Sequence, residues 1–155
     1  MDLIFWRHAE ALDWVLGCDD MQRGLTPRGE KQAARMAGWL NRQLPKGTRI
    51  GVSPARRAEQ TAQALGRKYK LRPELAPGAS ASQLLKMLQW SDADTKILVV
   101  GHQPMLGQAV AQLIGLQTTD CTIKKGALWW LRNREHEALA PTSAIVVTVQ
   151  SPEFL

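Results

Sequence analysis

The chain is short of cysteine, of long apolar runs and of repeated or low-complexity sequence. Two cysteines among 155 residues, Cys18 and Cys121, make no disulfide framework, and their separation matches no zinc-binding pattern. A reducing, cytoplasmic location is the expectation. The N-terminal apolar run, Leu3 to Trp6, stops at Arg7 and His8. That is too short for a signal-peptide core or a membrane span, so neither secretion nor a membrane partner is expected. No aromatic-and-basic stripe marks a nucleic-acid module, so no nucleic-acid partner is expected either. What is present is a globular composition, 45% hydrophobic and 22% charged, with no recognisable linker. One domain over residues 1–155 and a monomeric state are expected. The formal charge of +6 suits a phosphorylated or acidic partner, although most of these lysines and arginines read as solvated surface.

Periodicity divides the chain into alternating strands and helices. Asp2-Leu3-Ile4-Phe5-Trp6 is a continuous apolar run, the mark of a strand buried on both faces. Thr26-Pro27 opens a helix, with Thr26 as N-cap. Ala33, Ala37, Leu40 and Leu44 form its buried stripe, and Pro45 and Gly47 end it. Arg49 to Ser53 reads as a second strand. Pro54 to about Tyr69 reads as a helix with Ala58, Ala62, Leu65 and Tyr69 facing the core. Ser80 to about Trp90 is a third helix, Lys96 to Val100 a buried strand, and Pro104 to Ile114 a fourth helix. Ala127 to Leu131 and Ala144 to Val149 close the chain as strands. This order predicts an α/β three-layer sandwich with a mostly parallel central sheet and one antiparallel edge strand.

In open α/β sheets, ligands bind beyond the carboxyl ends of the strands. Three such ends here carry related chemistry: Arg7-His8, then Ser53-Pro54-Ala55-Arg56-Arg57, then Gly101-His102. Two imidazoles and guanidinium groups converging on one crevice suit a phosphate dianion, because arginine offers forked donors and a neutral histidine offers a nucleophile. At 100° per residue, Arg56 points away from the core of its helix and Arg57 lies on the flank, which makes Arg57 the better ligand. Taken alone, a histidine after a buried strand is usually structural; it is the combination that points to function. His136 sits in a polar turn and reads as solvated. Ser53 reads as a helix cap, since no nucleophile elbow surrounds it. Arg28 reads as surface or pocket rim. Of Trp129 and Trp130, one should face the core.

These residues resemble a known family. Arg7-His8-Ala9-Glu10-Ala11 is similar to the Arg-His-Gly signature of the histidine phosphatase superfamily, the phosphoglycerate mutase-like enzymes, with Ala9 where glycine is usual. Leu25-Thr26-Pro27-Arg28-Gly29, Ser53 to Thr61, and Val99-Val100-Gly101-His102 resemble its next blocks, in the right order. The short length and Glu74-Leu75-Ala76-Pro77 resemble the SixA-type phosphohistidine phosphatases. The resemblance implies that His8 accepts the phosphoryl group and that Arg7, Arg57 and His102 line the phosphate pocket.

The expected activity is a hydrolase acting on a phosphohistidine of a phosphotransfer or phosphorelay protein, through phospho-His8. His8 must present an unprotonated nitrogen, its other nitrogen held by a backbone carbonyl, and a protonated His102 would assist. No metal or other cofactor is needed, since arginine and histidine supply the positive charge. Imidazole, with a conjugate acid of pKa about 6.5, leaves far more readily than an alkoxide. The weakness of the acid candidates (Glu74 first, then Glu10 and Asp13) therefore favours a P–N bond. The absence of a long lid insertion between Ser53 and His102 favours a protein substrate. Competing readings are a small-molecule phosphomonoesterase of the same superfamily, a non-catalytic phosphate-recognising module and, more weakly, a metal hydrolase.

Overall fold

In the computed structural model, which describes residues 1–89, 94–133 and 144–155, the first apolar run is extended and buried. This is strand β1, Asp2–Arg7. It is followed by α1 (Pro27–Gln43), β2 (Arg49–Val52), α2 (Arg56–Gln63), β3 (Lys70–Leu71), α3 (Ala81–Leu88), β4 (Lys96–Gly101), α4 (Met105–Ile114), β5 (Leu128–Asn133) and β6 (Ala144–Gln150). The six strands form one sheet in the order β3-β2-β4-β1-β5-β6. β1, β2, β3 and β4 run parallel, and β5 pairs antiparallel with both β1 and β6, which puts the antiparallel pairing at the β6 edge.

Strand alternation sorts the core into two halves. Leu3 and Phe5 of β1, with Ile97 and Val99 of β4, pack against Leu84, Leu88, Leu106 and Leu113 of α3 and α4. Ile4 and Trp6, with Leu98 and Val100, pack against Met36, Leu40, Ala58 and Ala62 of α1 and α2. A sheet covered on both faces needs apolar residues on both, which is why β1 and β4 read as unbroken runs. Each fully buried leucine or isoleucine contributes about 1.5–3 kcal/mol. Of the tryptophan pair, Trp130 is the buried one; its indole donates to Asp2 Oδ2 at 3.1 Å, and Trp129 is half-buried.

Local chemistry sets the boundaries. Thr26 Oγ1 accepts from the Gly29 amide at 3.0 Å and Pro27 opens α1. Gly29 is required there, because a Cβ at that position would lie 1.9 Å from the Glu10 carbonyl oxygen. Ser80 and Gln83 form a reciprocal capping box on α3. The expected helix over Pro54 to Tyr69 is shorter, at Arg56–Gln63. Gly66, at φ 65°, ends the helical path, and the chain then extends into β3. The carboxyl ends of β2, β4 and β1 lie side by side, and the chain leaves each into a loop that carries polar residues.

Candidate active site

His8 follows β1 directly. Its amide donates to the Gly101 carbonyl at 3.1 Å, which extends the β1–β4 ladder by one step and seats the residue beside the end of β4. His102 follows β4 in the same way. The two imidazoles face each other with ring centroids 5.0 Å apart and planes inclined at 52°. Both are buried, at 6% and 5% exposure. His8 Nδ1 lies 2.7 Å from the Ala9 carbonyl oxygen. A carbonyl only accepts, so Nδ1 carries the proton and Nε2 keeps its lone pair. His102 Nε2 shares a 2.7 Å hydrogen bond with the Ser53 hydroxyl.

Two guanidinium groups flank the rings. Arg7 is anchored by Nη1 to the Ile123 carbonyl at 2.9 Å. Arg57 is buried, with Nη1 on the Asp20 carbonyl at 2.9 Å and Nη2 on the Asp20 carboxylate at 3.1 Å. The Nε atoms of both arginines are buried and, among the described residues, have no hydrogen-bond partner. Buried donors are normally satisfied, so two such groups beside a pair of imidazoles mark a site built for acceptors that an oxyanion would bring. Thr61 ties the halves together. Its hydroxyl accepts the Ala9 amide at 3.0 Å and donates to the Arg57 carbonyl at 2.7 Å, linking the His8 loop to α2.

Burial pushes the His8 pKa down to about 3; the Ala9 hydrogen bond opposes this, and the charges of Arg57, Arg7 and Arg23 add to it. Burial, the neighbouring His8 and the Arg57 charge likewise hold His102 near 3. Both rings are therefore neutral at pH 7. For His8 this is the nucleophilic form. For His102 it corrects the expectation of a protonated ring: desolvation outweighs the weak pull of Asp20, and only the charge of a bound dianion acts strongly the other way. Burial lowers the Arg7 and Arg57 pKa values too, but from so high a starting point that both stay charged.

Arg7, His8, Arg57 and His102 are thus brought together. Arg56 is exposed, its guanidinium lying against Gly24. Ser53 is buried, but it lies two residues before the Ala55 N-cap. Its hydroxyl therefore supports the local turn, accepting from the Ala55 amide at 3.2 Å, and holds His102, which replaces the helix-cap reading. Arg28 is exposed and reaches Glu10 Oε2 at 3.5 Å, a surface position. Asp13 lies in the exposed loop after β1.

Glu74 stands apart. It follows β3 in the short turn Pro73–Leu75, its Oε1 accepts from Arg72 at 3.1 Å, and it lines a cavity of about 980 Å³ with Met87 and Val99. That lining includes none of Arg7, His8, Arg57 or His102. His136 lies outside the described residues, as do Trp90, Arg134 and Glu135. Among the described residues, no three His, Cys, Asp or Glu side chains are grouped so as to hold a metal ion. No helix among them is long and apolar enough to cross a membrane.

Asp20 joins the site without belonging to any of the motifs that mark the other residues. It sits in the turn Asp20–Gln22, accepts from Arg23 Nε at 2.9 Å and binds both Nη groups of Arg57. Burial works against its carboxylate, but the Arg23 hydrogen bond and the Arg57 charge outweigh it and keep its pKa below the ordinary value. The available signal was an acid three residues before Arg23, just ahead of the helix opened by Thr26-Pro27.

Similarity to known proteins agrees with this geometry. The family model described as histidine phosphatase superfamily (branch 1) matches residues 3–80. The phosphohistidine phosphatase SixA of Escherichia coli is 33% identical over 122 residues, covering 73% of this chain and 74% of that protein. An uncharacterised protein of Picosynechococcus is 33% identical over 163 aligned positions, covering 100% of this chain and 99% of that one. The structure of the protein histidine phosphatase SixA complexed with tungstate superimposes with a TM-score of 0.83, covering 99% of both chains at 26% identity. The chain belongs to the histidine phosphatase superfamily and is of the SixA type within it.

Proposed function

We propose that this phosphatase removes the phosphoryl group from a phosphohistidine on a phosphotransfer or phosphorelay protein, using His8 as the acceptor. The observation that carries the reading is the fixed tautomer of His8: Nδ1 is committed to the Ala9 carbonyl, and a neutral Nε2 is held beside His102, Arg7 and Arg57. The relatives add support, one being a named phosphohistidine phosphatase and one a SixA structure holding tungstate, an oxyanion with the tetrahedral shape of phosphate.

In the first step the Nε2 lone pair of His8 attacks phosphorus in line with the substrate P–N bond. That bond breaks, and its electron pair goes to the substrate ring, which leaves as neutral imidazole when its other nitrogen carries a proton. Arg7, Arg57 and His102 hold the equatorial oxygens, so catalysis is positioning and charge stabilisation. In the second step water attacks the phosphorus of phospho-His8. The P–N bond breaks toward Nε2, and because Nδ1 has kept its proton on Ala9, His8 also leaves as a neutral ring. Neither departure needs a carboxylic acid, so Glu74 has no part in this scheme.

The test is phosphate release from a histidine-phosphorylated carrier domain by the wild-type chain and by His8→Ala and Arg57→Ala. Release by wild type alone is expected. Full activity in His8→Ala overturns the reading, and turnover of sugar or nucleotide phosphates exceeding that of the phosphoprotein moves the chain to the phosphomonoesterases.

A further inference from the structure

Between β1 and α1 the chain makes a closed excursion. Ala11 and Leu25 pair as an antiparallel bridge, and the Leu12 amide donates to the Gly24 carbonyl at 2.9 Å, so the segment leaves and returns at one point. Arg23 stitches its base, donating from Nη1 to the Leu12 carbonyl at 2.6 Å and from Nε to Asp20. The tip is closed by the Trp14 indole donating to the Cys18 carbonyl at 3.0 Å and by the Cys18 amide donating to Val15. A loop tip of this kind is normally small and polar. Here Leu12, Trp14, Val15 and Leu16 are 53%, 53%, 60% and 86% exposed.

None of the four belongs to any of the hydrophobic clusters that hold the fold together. Their exposure forgoes the apolar burial that the rest of the fold secures for its large side chains. Four large apolar side chains held out by a satisfied, hydrogen-bonded loop mark a contact surface. Its base is continuous with the phosphate pocket: the loop starts just after His8, and its Asp20 grips both Nη groups of Arg57. The loop that carries the tip therefore also borders the pocket. A small metabolite held in the pocket leaves the tip uncovered, whereas a folded protein carrying the phosphohistidine on its surface covers both at once.

We infer that residues 12–16 dock the phosphorylated partner protein, packing Leu12, Trp14, Val15 and Leu16 against apolar side chains that surround its phosphohistidine. The inference rests on the phosphohistidine reading above and adds the surface that selects a protein over a small molecule.

The experiment compares wild type, the double variant Val15→Ser with Leu16→Ser, and Leu16→Met. The two substrates are a purified phosphotransfer domain phosphorylated on histidine and free phosphohistidine. All four apolar residues are exposed, so the melting temperature of each variant should match wild type. The double variant is expected to lose about tenfold or more in kcat/KM on the phosphoprotein, the effect of about 1.4 kcal/mol of lost contact. Its rate on free phosphohistidine should be unchanged, and Leu16→Met should keep both activities. An equal loss on both substrates, or no loss on the phosphoprotein, overturns the docking role. So does a wild-type dimer that dissociates in the double variant while the phosphoprotein rate is unchanged, which would make the tip a self-association surface. A wild-type chain that releases phosphate from neither substrate instead refutes the phosphohistidine reading itself, a separate result.

Discussion

Replacing Thr61 by valine removes one hydroxyl and little else, yet that hydroxyl joins the two halves of the site. It accepts from the Ala9 amide at 3.0 Å and donates to the Arg57 carbonyl at 2.7 Å, and both Thr61 and Ala9 are 0% exposed. In Thr61→Val the Ala9 N–H stays buried with its acceptor gone. An orphaned buried donor costs about 1–3 kcal/mol. For a chain of this size each kcal/mol lowers the melting temperature by about 2–4 °C, so a drop of about 2–12 °C is expected in a thermal scan. Turnover should fall further than stability alone explains. Ala9 carries the carbonyl that fixes the His8 tautomer, and a displacement of about 1 Å at such a point can cost about a hundredfold in rate. Thr61→Ser keeps both hydrogen bonds and loses a buried methyl worth about 0.8 kcal/mol, so it should be slightly less stable and fully active. A valine variant with wild-type melting temperature and kcat, or a serine variant as inactive as the valine one, would refute the reasoning.

Four further outcomes follow from the same geometry. With the His8 pKa depressed to about 3, nucleophile protonation should not reduce kcat/KM between pH 8 and 5; a loss of activity centred near pH 6.5 that tracks His8 in an NMR titration would contradict this. Both histidines bind protons near pH 6.5 when unfolded and only near 3 when folded. Denaturation should therefore show full stability above about 6.5, then a decline toward pH 3 of up to about 1.4 kcal/mol per pH unit for each histidine; a flat profile would disprove the neutral pair. Arg57→Lys removes the fork held by Asp20 and should lower kcat/KM by at least about tenfold despite keeping the charge, so wild-type kinetics would show that the fork is unnecessary. Treatment with EDTA should leave phosphate release unchanged, and a loss restored by a divalent cation would overturn a mechanism run on arginine and histidine alone.

Much of this arrangement was legible in the sequence because it rests on short, rule-bound signals. A strand covered on both faces must be apolar throughout, so Leu3 to Trp6 declared itself, and Thr26-Pro27 is a helix start whatever follows. Parallel strands deliver their carboxyl ends to one edge, which is why Arg7-His8, Arg57 and His102 could be grouped without coordinates. The 100° step separated buried Arg57 from exposed Arg56. The failures share a cause, which is that tertiary context decided them. Lys70 and Leu71 are both exposed and carry no strand pattern; only pairing with β2 makes them β3. Leu65 and Tyr69 fall at helical spacing and do pack on the core, but α2 ends at Gln63 and Gly66 turns the chain before Tyr69. The Asp20–Arg57 pair spans 37 residues with no periodicity to reveal it, and the neutrality of His102 depends on burial that no local motif encodes.

The mechanism puts the transferred phosphoryl group on one particular nitrogen. Rapid quenching of the enzyme with labelled phosphohistidine protein at alkaline pH, followed by peptide mapping and phosphorus NMR of the labelled fragment, tests it directly. An acid-labile phosphoryl group is expected on Nε2 of His8, because Nδ1 is held by the Ala9 carbonyl at 2.7 Å. Label on Nδ1 of His8, on His102 or on any other residue, or steady turnover with His8 replaced by alanine, would contradict it.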